Sequence, residues 1–241
     1  MSTDTIKIPC KGSTLIIAHR GLSGIEQQNT NSAFVAAGNR SYFGIEADIH
    51  VTKDGRFAVI HDDTTGSVAK KNANVENSTF EELGEIILNN TDSVKRGDLR
   101  IPELCEYISI CKKYGKVAVL ELKNPFTSED IKNAVSEIKK LDYIDGVIFI
   151  SFSLANLVEL RKLLPNAKIQ YLFSKLPEGI FETLKKYRFD ADVYYDIATK
   201  DFTQKVHSLG LKVNVWTVDK LEIAQQVIAN GVDYITTNIL E

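Results

Sequence analysis

Glu46 and Asp48, in the run GIEADIHVTKDG, stand two residues apart in a segment too apolar and too short for a helix. On a β-strand, residues i and i+2 share a face, so both carboxylates point the same way. Paired carboxylates repel unless a proton or a cation lies between them. An all-oxygen pair suits a hard divalent ion such as Mg²⁺ or Ca²⁺. The same Glu-x-Asp pattern also fits the solvent side of an edge strand. What decides between the two is whether the chain supplies further ligands, acids and bases at the same place.

The elements that must position such groups follow from hydrophobic patterning. Short apolar runs alternate with helical patterns, the signature of β/α units around a parallel sheet. The strands are expected at Thr14–Ala18, Phe43–Ile49, Lys116–Leu122, Gly146–Ile150, Ala167–Phe173, Ala191–Tyr195, Lys212–Trp216 and Asp233–Thr236. Helices are expected from about Thr30 to Gly38, from Pro102 to Gly115, and from near Ser128 with Ile131, Ala134, Val135 and Ile138 facing the core. Others run to Leu164, to near Arg188, to about Leu209, and from an Asp219-x-x-Glu222 capping box to Ala229.

Eight strands alternating with helices in 241 residues fit an α/β fold of the (β/α)8 TIM barrel type. No G-x-G-x-x-G turn supports a doubly wound sheet. One domain over 1–241 is expected, with an insertion after strand two at about 51–100. Inside that insertion, a turn at Asp54-Gly55 precedes an extended segment ending at His61, and S-T-F-E-E-L opens a helix within Ser78–Leu88.

Active sites of such barrels collect at the C-terminal ends of the strands. His19 and Arg20 follow strand one, Glu46 and Asp48 end strand two, and Glu121 and Lys123 end strand three. His61 can return over the same mouth. Three carboxylates could hold one divalent cation, while Arg20 and Lys123 add the positive charge that holds a phosphate. Two histidines can take a proton from a nucleophile and give one to a leaving alkoxide. Together these groups describe cleavage of a phosphodiester with an alcohol leaving group.

Composition narrows the classes. With 44% hydrophobic and 25% charged residues the chain reads as an ordinary globular protein. A net charge of −3 and a pI near 5.9 argue against nucleic acid as the partner. Cys10, Cys105 and Cys111 have no metal-binding spacing, and the last two are expected to be buried thiols. No run reaches the roughly 20 apolar residues of a membrane span, and the first residues lack a signal-peptide pattern. A cytoplasmic location is therefore the expectation; the oligomeric state is open. His50, two past Asp48 and beyond the expected strand end, reads as structural, and His207 as a surface or helix-capping residue.

The motifs HRG (His19–Gly21), EAD (Glu46–Asp48), TKDG through HDDT (ending at Thr64) and LELK (Leu120–Lys123) resemble the glycerophosphodiester phosphodiesterase family. So do Ile101–Leu104, SFS at Ser151–Ser153, WTVD at Trp216–Asp219 and the terminal GVDYITT. The resemblance runs in order over nearly the whole chain. It implies metal-dependent hydrolysis of glycerophosphodiesters, such as glycerophosphocholine or glycerophosphoethanolamine, to glycerol 3-phosphate and an alcohol. It implies His19 and His61 as the acid/base pair and Glu46, Asp48 and Glu121 as ligands of one Mg²⁺ or Ca²⁺, with Mn²⁺ also suited. Arg20 and Lys123 are implied on the phosphate, and Trp216 and Phe152 beside the glycerol. A weakly active glycerol-phosphate-binding or regulatory barrel, or a lysophospholipase D-like relative, are the alternatives.

The chain departs from the family pattern in three places. Where the family has P-E-N-T, this chain has Gln27-Gln28-Asn29-Thr30, so Gln28 stands in the glutamate's place as a ligand or an outer partner of the metal, with Glu26 a possible substitute for the lost charge. An arginine common after the HD pair is missing from DDTTGSVAKK. The closing T-D-x-P is replaced by Thr237-Asn238-Ile239-Leu240, which reads as a matter of barrel closure and not of chemistry.

Overall fold

The computed structural model describes residues 4–90 and 96–241; residues 91–95 of the expected insertion lie outside them. Eight parallel strands form the barrel: β1 (Leu15–Ala18), β2 (Gly44–Val51), β4 (Val117–Leu122), β5 (Val147–Ser151), β6 (Lys168–Phe173), β7 (Asp190–Tyr194), β8 (Val213–Trp216) and β9 (Tyr234–Thr237). An additional strand, β3 (Phe57–Val59), follows β2. The parallel order β1-β9-β8-β7-β6-β5-β4-β2 closes through direct pairing of β1 with β2. Closure is in register at Ile17↔Gly44 on one side and Leu15↔Tyr234 on the other. The barrel inferred from eight apolar runs is therefore the fold.

The helices are α1 (Asn31–Gly38), α2 (Phe80–Gly84), α3 (Leu104–Tyr114), α4 (Ser128–Lys140), α5 (Leu154–Leu163), α6 (Ile180–Tyr187), α7 (Lys200–Ser208) and α8 (Leu221–Ala229). On α4, the expected stripe of Ile131, Ala134, Val135 and Ile138 is buried, because those spacings place the four side chains on the face turned to the sheet. Thr127 and Asp130 close a capping box at its start. α3 ends at Gly115 in the left-handed conformation, as its sequence indicates.

Three local expectations need correction. The Asp219-x-x-Glu222 box does not form, since α8 is capped at Lys220 without a side-chain bond; Asp219 is committed to Thr237 and Asn238 instead. α2 has the expected capping box, Thr79 with Glu82, but stops at Gly84. Beyond it, Leu88 forms a β-bridge with Ala69. Cys111 is buried as expected, whereas Cys105 is only half-buried.

β3 runs antiparallel to β2, with Ile49↔Val59, His50↔Ala58 and Val51↔Phe57 paired. This hairpin starts the insertion, which carries its own small apolar core. Ile60, Val68, Val75, Leu83, Leu88 and Leu99 are buried in it. Packing of that kind lets a long excursion hold His61 at a defined place over the barrel mouth, which a solvated loop of the same length would not do.

Candidate active site

β2 and β4 are paired with Asp48 opposite Glu121, so strand alternation turns Glu46, Asp48 and Glu121 into the barrel together. One oxygen from each lies within 4.8 Å of the others, and all three residues are buried. Asp48 Oδ1 and Glu121 Oε1 accept no well-aligned hydrogen bond. Lys123 Nζ lies 3.5 Å from the first and 2.9 Å from the second. Three buried carboxylates against two nearby cations, with acceptor oxygens left over, fit a hard divalent cation with oxygen ligands.

Charge and burial pull the three apart. Burial raises Glu46 well above the usual carboxylate range, and Asp48 and Glu121 add to the rise. Glu121 is pushed up to about 8 by burial and then by Asp48. Burial acts upward on Asp48 too, but Lys123 and Arg20 outweigh it and hold that carboxyl well below the usual range. The site thus carries a strong local excess of acceptor oxygen that a cation would relieve.

The HRG turn brings two more groups to the carboxylates. Arg20 has φ +53°, in the left-handed region that non-glycine residues rarely adopt. From that conformation its backbone N–H donates to Glu46 Oε2 at 2.7 Å. Its guanidinium Nε lies 3.5 Å from Asp48 Oδ2, and Nη1 donates to Gln28 Oε1 at 2.6 Å. Gln28 is therefore seated on Arg20. Glu26 does not replace the missing carboxylate, because it pairs with Arg96 at 2.7 Å.

His19 and His61 line one cavity with Arg20, Glu46, Glu121 and Lys123. His19 Nδ1 lies 2.8 Å from Asn238 Oδ1. Asn238 Nδ2 donates to Asp219 Oδ2 at 2.6 Å, which turns the amide oxygen toward the histidine and places the ring proton on Nδ1. His19 Nε2 then faces the carboxylates as an acceptor, 4.0 Å from Glu46. Burial lowers the His19 pKa to about 4, with Arg20 acting in the same direction. Asn238, expected to serve closure alone, contacts one of the two candidate acid/base histidines directly.

His61 is oriented in a parallel way. Its Nδ1 lies 2.5 Å from Asp62 Oδ1, and Asp62 in turn accepts from Ser67. Burial lowers the His61 pKa, Asp48 opposes, and Arg20 and Lys123 reinforce the fall. Both rings are thus held at Nδ1, and burial lowers the pKa of each. His50, expected beyond the strand end, lies within β2 because β3 extends the pairing past it. It is fully buried, and its Nε2 lies 3.1 Å from the His61 carbonyl oxygen. His207 sits at the end of α7 and pairs with Asp233 at 2.8 Å, away from these groups.

At the open side, Phe152 is 45% exposed and meets Trp216 edge-on at 5.6 Å. Both line the cavity. Tyr194, unanticipated from sequence, stands 5.9 Å from Trp216. Asn29 was also missed; it donates from Nδ2 to Asp48 Oδ2 at 2.8 Å. Its signal was its place beside Gln28 in a motif read only for the neighbouring carboxylate.

The model of the glycerophosphoryl diester phosphodiesterase family matches residues 19–241. A glycerophosphodiester phosphodiesterase of Caldanaerobacter subterraneus subsp. tengcongensis is 30% identical over 231 residues, spanning 93% of this chain and 94% of that one. Among solved structures, a glycerophosphodiester phosphodiesterase from Parabacteroides distasonis superposes with a TM-score of 0.80 at 28% identity, over 94% of this chain and 93% of that chain. A phosphodiesterase of Oleispira antarctica, solved with the product sn-glycerol-3-phosphate, superposes with a TM-score of 0.85 at 24% identity, over 93% and 92% of the two chains.

Proposed function

The chain belongs to the glycerophosphodiester phosphodiesterase family and is a phosphoric diester hydrolase; on that premise we propose that it cleaves glycerophosphodiesters such as glycerophosphocholine or glycerophosphoethanolamine to glycerol 3-phosphate and an alcohol. The observation that carries this reading is the convergence of the three buried carboxylates with two histidines whose Nδ1 atoms are both already held.

Glu46, Asp48 and Glu121 would hold one Mg²⁺ or Ca²⁺. When bound, such an ion supplies Lewis-acid polarisation of the phosphoryl oxygen and stabilises the charge that builds in the transition state. Arg20 and Lys123 orient the phosphate, and Trp216 and Phe152 flank the glycerol. One histidine takes the proton from the glycerol 2-hydroxyl as its oxygen attacks phosphorus. The other, entering this step protonated on both ring nitrogens, gives its Nε2 proton to the departing alkoxide, leaving a cyclic glycerol phosphate that water opens with the roles reversed.

The test is turnover of both substrates with Mg²⁺, Ca²⁺ or Mn²⁺ and with a chelator. Turnover that is lost on chelation and restored by one of these ions is the expected result. Binding of glycerol 3-phosphate without turnover under any of these ions would overturn the reading in favour of a binding or regulatory barrel.

A further inference from the structure

The barrel interior carries polar side chains that the proposed reaction does not use. Gln170, Asp192, Asn214 and Thr236 lie on the consecutive strands β6, β7, β8 and β9, and all are buried. Asn214 Nδ2 donates to Gln170 Oε1, and Thr236 Oγ1 donates to Asn214 Oδ1, each at 3.2 Å. Asp192 stands opposite Asn214 in register. It is only 1% exposed, and its Oδ1 has no hydrogen-bond partner. Asp192 and Thr236 line the same cavity as His19, His61 and Trp216. The cavity therefore runs from a half-exposed aromatic rim at Phe152 to a buried polar end at Asp192.

A buried carboxyl oxygen facing a cavity without a partner is costly unless something that enters the cavity pairs with it. We propose that Asp192 is a specificity-determining residue that hydrogen-bonds the terminal hydroxyl of the substrate's glycerol, the hydroxyl that takes no part in bond cleavage. The inference rests on the phosphodiesterase reading, in which the 2-hydroxyl is engaged in attack and the terminal one must be desolvated. Burial holds the Asp192 carboxyl well above the usual range, and the Glu121 carboxylate adds to the rise, while the Asn214 side chain opposes it. An alcohol O–H can donate to the unpartnered carboxyl oxygen whether or not that carboxyl is ionised. A lysophospholipid carries an acyl ester at that oxygen, with no proton to give.

The test compares glycerophosphocholine with 2-hydroxypropyl phosphocholine, which keeps the attacking hydroxyl and lacks the terminal one. The wild-type protein is expected to favour the first by about 10²-fold or more in kcat/KM. Asp192→Ala should reduce that ratio at least about tenfold, and Asp192→Asn, whose amide also donates and accepts, should keep it. Calorimetry with glycerol 3-phosphate and 2-hydroxypropyl phosphate gives the same comparison without turnover. The wild-type comparison needs no variant, so a poorly folding Asp192→Ala leaves the question decidable. Hydrolysis with the two substrates within about threefold of each other overturns the role of Asp192 alone. Discrimination in binding without hydrolysis upholds Asp192 and overturns the phosphodiesterase reading, and the absence of both hydrolysis and binding of either phosphate overturns both.

Discussion

Arg20 Nη1 donates to Gln28 Oε1 at 2.6 Å, while Arg20 Nε faces Asp48 at 3.5 Å. The amide holds the guanidinium in place without cancelling its charge. A glutamate at this position would form a charge-assisted pair of roughly twice the strength and would compete with a substrate phosphate for Arg20. Gln28→Glu is therefore expected to raise KM about three- to tenfold with little change in kcat. Steady-state kinetics check the first expectation. Calorimetric titration of Mg²⁺ or Ca²⁺ checks the accompanying one, that metal affinity hardly moves; strong tightening would place Gln28 among the ligands instead.

The His19–Asn238–Asp219 chain makes a second prediction, on pH. Asn238 raises the His19 pKa, working against the larger effects of burial and Arg20 that bring it to about 4. Asn238→Ala removes that support, so the His19 pKa should fall further and the acid limb of kcat/KM should move to lower pH. It also frees the ring to turn, with an expected loss of roughly 10- to 100-fold in kcat. A pH–rate profile identical to wild type would detach Asn238 from His19. By comparison, His19→Ala or His61→Ala should cost about 10²- to 10⁴-fold in kcat if each transfers a proton.

The HRG motif has a mechanical explanation that leads to a stability prediction. Gly21 has φ +75°, and a Cβ placed on it would lie 2.7 Å from the backbone carbon of Ala33 in α1. Only glycine lets the turn after Arg20 lie against that helix. Gly21→Ala should lower stability by at least about 1–3 kcal/mol. A thermal melt unchanged from wild type would show that the turn relaxes without cost.

Some of this site was legible in sequence because it depends on local periodicity. Glu46 and Asp48 share a face by strand alternation, and Glu121 arrives opposite Asp48 once β4 is recognised as the next parallel strand. The same alternation could have exposed Asp192, which points inward two residues before Tyr194. Contacts that depend on closure were not legible. Asn238 reaches His19 across 219 positions, and Asp219 is drawn from a helix cap to Asn238 by a strand that folds beside it. His50 was read past the end of its strand because antiparallel pairing with β3 is a property of the insertion, not of the strand's own residues.

Glu241 makes the last prediction, through a clasp far from the candidate chemistry. Its carboxylate accepts from the Ser41 backbone at 2.7 Å and from Thr5 Oγ1 at 2.6 Å, and pairs with Lys7 at 2.8 Å. Burial alone would raise its pKa, but Lys7, Ser41 and Thr5 outweigh burial and bring it from 4.5 to about 2. A carboxyl depressed in the folded state stabilises the fold above its unfolded pKa and loses that contribution as pH falls through the folded one. Stability should therefore decline between about 4.5 and 2 in part through this group. Glu241→Gln should be less stable at neutral pH and show a shallower decline across that window. Urea unfolding of both proteins from neutral pH downward measures it, and parallel curves would exclude Glu241 from the acid sensitivity.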